Sequence, residues 1–343
     1  MKQQENSSRR QLWLGILISV VCLVVIFYFI RPQEIVAAMK TARYGFLVLS
    51  AMGIVSFLMI RAARWRFMLN NDAPWLTVFH IQNIGYLIST VLPFRLGDIA
   101  RAVLIGNVPP VTISRGISTM VVERVLDMLF IVTLLPFTLA GIEYLPDWMR
   151  LGARASGVAA IAAISILIIA ANQRALAVRI VARILDQLPF LNTQAWSNRT
   201  DNFLAGLDSL TRFKDGAILL ALTLATWIPI ILAYYATMLA VNLQPSLVMA
   251  AFVVCAAALS VALPSSPGQI GVFHAGVIAA LQVWGQPEAA SASFAFIYHA
   301  LNSITLIVLG IIGIVGTGST FRHVVASTQD FLNREEVNES VSN

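Results

Sequence analysis

A chain of 343 residues, 58% apolar and only 12% charged, with a mean hydropathy of +0.79, is too apolar for a soluble globular domain and falls among polytopic membrane proteins. Its net charge of +6 is modest and spread over short loops, as the positive-inside effect produces, so nucleic acid is excluded as a partner. Cys22 and Cys255 each sit in an apolar run without His or Cys at ligand spacing, so no disulfide framework, metal site or cofactor is expected.

In chain order, the first apolar run, 12–30, follows Arg9 and Arg10, exceeds a signal-peptide core and lacks a small-x-small cleavage site, which reads as an uncleaved first crossing. Runs at 44–60, 116–140, 156–171, 216–241 and 289–316 supply five more, each near the ~20 residues a crossing needs. Two further pieces, 75–92 continuing to 98–110 and 246–263 continuing to 270–284, read as helix, break and shorter helix: hairpins that enter and leave from one side. The expected fold is all-α and polytopic, one transmembrane domain over 1–343 with no soluble domain appended. In the linker 172–215, Leu176, Ile180, Ile184 and Leu188 recur at spacing four beside Arg179, Arg183 and Asp186 on another face. Either amphipathic helices on the inner membrane surface or a plain solvated connector fits that pattern. Residues 320–343 read as a short, polar, frayed tail.

The breaks share one skeleton. Leu92-Pro93-Phe94-Arg95-Leu96-Gly97-Asp98-Ile99 returns 171 residues later as Leu263-Pro264-Ser265-Ser266-Pro267-Gly268-Gln269-Ile270. Pro93, Gly97, Pro264, Pro267 and Gly268 are the expected helix breaks, because Pro removes a backbone donor and Gly permits positive φ; a bilayer tolerates the freed polar groups only inside protein or water. Shifting 44–60, 75–92 and 116–140 by 171 lands them on 215–231, 246–263 and 287–311, and the runs 12–30 and 156–171 open the two units, so two repeats, 12–140 and 156–316, are expected, each with three crossings and one hairpin. The odd number of crossings inverts the second. With the N-terminus inside, 17 of the 23 Lys and Arg fall on inner segments, placing both termini in the cytoplasm; Arg31, Lys40 and Arg43 in the first outer loop run against the rule.

Three charged groups could carry chemistry. Arg61 and Arg64, one turn apart at the inner end of a crossing, either anchor the helix or contact a lipid phosphate. Arg95, Asp98 and Arg101 flank the first break, as an anionic-headgroup station in which Asp98 orients Arg101, or as a surface salt bridge. Glu123, Arg124 and Asp127 lie inside an apolar run, Glu123 and Asp127 on one face and ~10 and ~16 Å from its start, with Arg124 and Asp127 spaced to pair. Each costs ~2.5 to 3.5 kcal/mol at that depth, which demands a wet cavity or an ion-pair network. Asn83 gives the first hairpin a polar patch, and His274, Tyr298, His299 and Asn302 give the second half polar groups that line a pathway or simply pack. Pro229 is an expected kink. No Gly-x-x-x-x-Gly-Lys, His-Glu-x-x-His or Gly-x-Ser-x-Gly is present, so enzyme signatures are weak.

On Asn83 to Arg101, on Ser118 to Asp127 with its Glu-Arg-x-x-Asp, and on Pro264 to Phe273, the chain resembles the flippase-like family typified by the membrane domain of lysylphosphatidylglycerol synthase, the multiple peptide resistance factor. The resemblance implies a plasma-membrane protein that moves a phospholipid or lipid-linked sugar between leaflets, with Arg95, Asp98, Arg101, Glu123, Arg124 and Asp127 at the family's polar positions. His274 stands where an acidic residue is usual, and His299 where Arg commonly follows Tyr. The family's aminoacyl-transferring domain is not expected here, so lysyl transfer is not carried over. The alternatives are a non-transporting scaffold for a partner lipid-modifying enzyme, and a membrane enzyme acting on a lipid-linked phosphate.

Overall fold

A computed structural model of the chain describes residues 32–92, 96–140, 213–261 and 267–342, with short pieces between 17 and 28 and between 142 and 183. Among the described residues every regular element is helical. The helices are α1 (Pro32–Lys40), α2 (Gly45–Met68), α3 (Trp75–Val91), α4 (Leu96–Gly106), α5 (Ile113–Leu139), α6 (Phe213–Ala240), α7 (Leu247–Ser260), α8 (Val272–Val283), α9 (Glu288–Gly316) and α10 (Phe321–Ser342), with a 3₁₀ turn at Pro267–Gln269. The expected crossing at 12–30, that at 156–171 and the linker 172–215 lie largely outside these residues, as do Pro93, Arg95 and Pro264.

Three helices, α2, α6 from Lys214, and α9, are long and apolar enough to cross a membrane. α5 is as long at 27 residues but carries Glu123, Arg124 and Asp127. At 1.5 Å per residue, α4, α7 and α8 reach only about 17, 21 and 18 Å, short of the ~30 Å hydrocarbon core. Both interrupted pieces are therefore helical hairpins with at least one arm that cannot span. Sequence starts them plainly: Pro74 precedes α3, the Ser246 hydroxyl accepts from the Met249 amide at the start of α7, and Thr112 caps α5 through the Arg115 amide.

The two halves of the chain pack by the same rules. α3 lies on α4 as α7 lies on α8, α4 on α5 as α8 on α9, α2 on α3 as α6 on α7, and α5 on α7 as α9 on α3. α2 and α6 pack along each other across the middle, where Thr237 donates to Ser50 at 2.8 Å. The turns repeat as well: Asn71 and Asn242, 171 apart, both hold positive φ at 61° and 60°, each three residues ahead of a proline. Asn tolerates that region better than most residues.

Two expectations change. Gly97 does not break a helix; it lies buried in the first turn of α4, where a Cβ would overlap the Gly85 carbonyl oxygen and the Ser89 hydroxyl. Gly97 and Gly85 let α3 and α4 touch backbone to backbone. The C-terminal stretch is not a frayed tail but α10, which packs on α4 and buries Val324 and Thr328 one turn apart.

Candidate functional site

The site grows from three helical stripes. On α2, the buried positions Ile54, Leu58, Arg61, Ala62 and Trp65 follow a spacing of three and four, so Arg61 is carried into the protein with its apolar neighbours. On α5, Glu123 and Asp127 share a buried face; on α4, Asp98 and Arg101 are one turn apart. Where the three stripes meet, the charges form one alternating chain. Arg64 faces Asp127 at 2.9 Å, Asp127 accepts from Arg61 at 2.7 Å, and Arg61 also pairs with Glu123. Glu123 accepts from Arg101 at 3.1 Å, Arg101 stands 3.8 Å from Asp98, and Asp98 accepts from Arg124 at 2.7 Å. Every carboxylate bridges two guanidiniums, and four arginines face three carboxylates.

Burial makes these pairs strong and exacting. Arg64, Arg101 and Glu123 are at most 1% exposed. The Arg101 guanidinium also lies over the Trp65 ring at 4.3 Å and the Tyr86 ring at 5.6 Å, while the Trp65 indole N–H donates to Thr119 at 3.0 Å. Arg64 reaches across to Thr223 on α6 at 3.4 Å. A buried cation deprived of its carboxylate would cost about 3–5 kcal/mol.

Next to this chain is a cavity of about 300 Å³ between the two halves. Arg61, Tyr86, Arg124 and Asp127 line it from the first half; Trp227, Tyr234, Gly268, Tyr298, His299 and Asn302 line it from the second. The end of α3 adjoins the 3₁₀ turn of the second interruption here. A Cβ on Gly268, which holds φ +68°, would sit 3.4 Å from the Thr90 carbonyl at the end of α3. His299 ties the second interruption to α9, with its Nε2 2.7 Å from the Gly268 carbonyl oxygen.

Several residues expected from sequence take other places. Arg64 neither anchors the helix at a headgroup nor lies at a surface; it is buried against Asp127 and Thr223. Arg124 and Asp127 do not pair with each other, because Asp98 and Arg61 meet them from neighbouring helices. Glu123 is enclosed by Arg61 and Arg101 and does not reach the cavity wall. Asn83 donates to the Phe79 carbonyl of its own helix at 2.8 Å. His274 is a packing residue that caps α8, its Nδ1 accepting from the Gly271 amide at 3.3 Å and its ring 4.3 Å from that of Phe296. Sequence reasoning missed Trp65, Tyr86 and the aromatic wall; the buried stripe on α2 was the available signal for the first.

The family model for the lysylphosphatidylglycerol synthase TM region matches residues 12–310. No curated protein and no solved structure matches the chain.

Proposed function

Because the chain belongs to the lysylphosphatidylglycerol synthase transmembrane-region family, a membrane family tied to lipid modification or transport, we propose that it is a lipid translocase that carries a phospholipid or lipid-linked sugar between leaflets of the plasma membrane. The observation that carries this reading is the cavity where the two interrupted hairpins adjoin, with Arg61, Arg124 and Asp127 on one wall and aromatic side chains on the other. Paired interruptions that converge on one polar site are the arrangement of alternating-access transporters.

The headgroup phosphate sits against Arg61 and Arg124, whose guanidiniums are suited to phosphate oxygens, while the acyl chains stay in lipid. Units 12–140 and 156–316 are inverted repeats that rock against each other across the α2–α6 contact, with both termini cytoplasmic. The matched packing relations and the paired left-handed Asn71 and Asn242 support that symmetry.

Reconstitution into vesicles holding a phospholipid labelled on an acyl chain tests the proposal. Transbilayer movement should exceed that of protein-free vesicles; Arg124→Ala should lower it about tenfold or more, the size expected when a charged contact to the moving group is lost, and Asp127→Asn should lower it indirectly, by loosening Arg61, which Asp127 holds at 2.7 Å. Movement at the protein-free rate would remove the translocase reading. If a co-purifying lipid-modifying enzyme accompanied that result, the chain would act as a scaffold; if a new lipid product formed, it would act as an enzyme.

A further inference from the structure

The two walls of the cavity differ in charge. On the charged wall Arg61 and Asp127 bind each other and Arg124 binds Asp98. Each carboxylate of the chain already lies between two guanidiniums, and arginines outnumber carboxylates by four to three. A cationic headgroup brought here would meet an excess of like charge and no uncommitted carboxylate.

The opposite surroundings are uncharged. Ser89, Gln269, Asn302 and Ser303 line the cavity and make no side-chain hydrogen bond among the described residues. The Trp227 ring also lines the cavity, while its indole N–H is buried behind the wall. One Trp227 face is covered by Phe130, with ring centroids 4.6 Å apart. Tyr234 and Tyr298, 4.1 Å apart, add further aromatic surface to the same space. Amides and hydroxyls beside flat aromatic surfaces match a ligand with many hydroxyl groups and apolar C–H faces. Hydroxyls satisfy donors and acceptors alike without adding charge, and a buried polar group left unmatched is penalised.

We infer that the cavity selects phospholipids whose headgroup beyond the phosphate is an uncharged polyol or sugar, and discriminates against ammonium headgroups. This rests on the lipid-headgroup reading of the cavity and narrows it. Arg61 and Arg124 take the single phosphodiester charge; Asn302, Ser303 and Gln269 read the hydroxyls.

The test is competition on the purified full chain in detergent, read by native mass spectrometry, between dioctanoyl phosphatidylinositol and dioctanoyl phosphatidylethanolamine, which share their tails. The inositol lipid should be favoured about tenfold or more, and Asn302→Leu and Gln269→Met should each reduce that preference about fivefold, the value of one hydrogen bond. Ser303→Ala, a milder change, serves where either variant misfolds. Equal or tighter binding of the ethanolamine lipid overturns the assignment. Binding needs no transbilayer movement, so a polyol preference in a protein that moves nothing would sink the translocase reading and leave the headgroup assignment standing.

Discussion

The halves of this chain pack their helices alike and fill the shared space with different chemistry. Helices α2 to α5 bring seven ionised side chains together, each paired with an opposite charge. Helices α6 to α9 offer aromatic rings, amides and hydroxyls around a turn at positive φ. Helix packing sets where a wall stands; the few side chains on it set what it binds. A charged network on one wall fixes geometry and supplies a positive surface, while the uncharged wall is free to pair with a ligand.

The comparison breaks most readily at Glu123. Its carboxylate lies between Arg61 and Arg101, all three at most 6% exposed. Glu123→Leu should destabilise the fold by about 3–5 kcal/mol by leaving both cations short of a partner. Thermal unfolding in detergent reads the effect. Adding Arg101→Met should recover part of the loss, since an apolar pair of similar volume avoids the desolvation of both charges. A melting temperature for Glu123→Leu equal to that of the parent would mean that the network is hydrated and that burial does not govern it.

Gly97 and Gly268, 171 residues apart, sharpen the comparison because they occupy equivalent places for unlike reasons. At Gly97 a Cβ has no room: the Gly85 carbonyl and Ser89 hydroxyl fill the space. At Gly268 a Cβ has ordinary contacts, 3.4 Å to the Thr90 carbonyl, and the difficulty is φ +68°. Gly97→Ala should therefore cost about 1–3 kcal/mol through overpacking, and Gly268→Ala about 1–2 kcal/mol through backbone strain alone. Melting of the two variants ranks them; a larger loss at Gly268 would show that the α3–α4 contact yields easily.

Much of this was legible in the residues. Runs, caps and Pro-Gly interruptions placed α2 to α9 within a few positions, except that α2 runs past 60 to Met68 because Arg61 and Arg64 are interior and do not mark its exit from the membrane. Partner choice was not legible. Spacing along α5 suggested an Arg124–Asp127 pair, yet side chains from adjacent helices meet end-on and win, giving Arg124–Asp98 and Arg61–Asp127. Composition hid α10, whose polar sequence masks Phe321, Val324 and Thr328 at helical spacing. Gly97 misled because a glycine four residues after a proline suggests a break, whereas here its missing side chain lets α3 and α4 touch.

Arg124 separates stability from recognition. Its side chain is 43% exposed and its partner Asp98 28%, so Arg124→Ala should change stability by no more than ~1 kcal/mol. The same residue lines the cavity, so lipid movement should fall while the melting temperature holds. Parallel loss of both would make Arg124 a structural residue.

The weakest expected effect lies outside the cavity. Arg115 at the start of α5 pairs with Asp72 in the α2–α3 turn at 2.6 Å, with the two side chains 30% and 32% exposed. This pair ties together the same elements as the buried chain does, but water and salt reach it. Arg115→Ala should cost only ~0.2–1 kcal/mol, and the cost should shrink as ionic strength rises through the range where the Debye length falls below ~10 Å. The Glu123→Leu loss should hardly respond to salt, since mobile ions do not enter that interior. Melting both variants at low and high salt measures the contrast: if the two losses fade together, the network is screened by solvent and the distinction between a sealed charged wall and an open one fails.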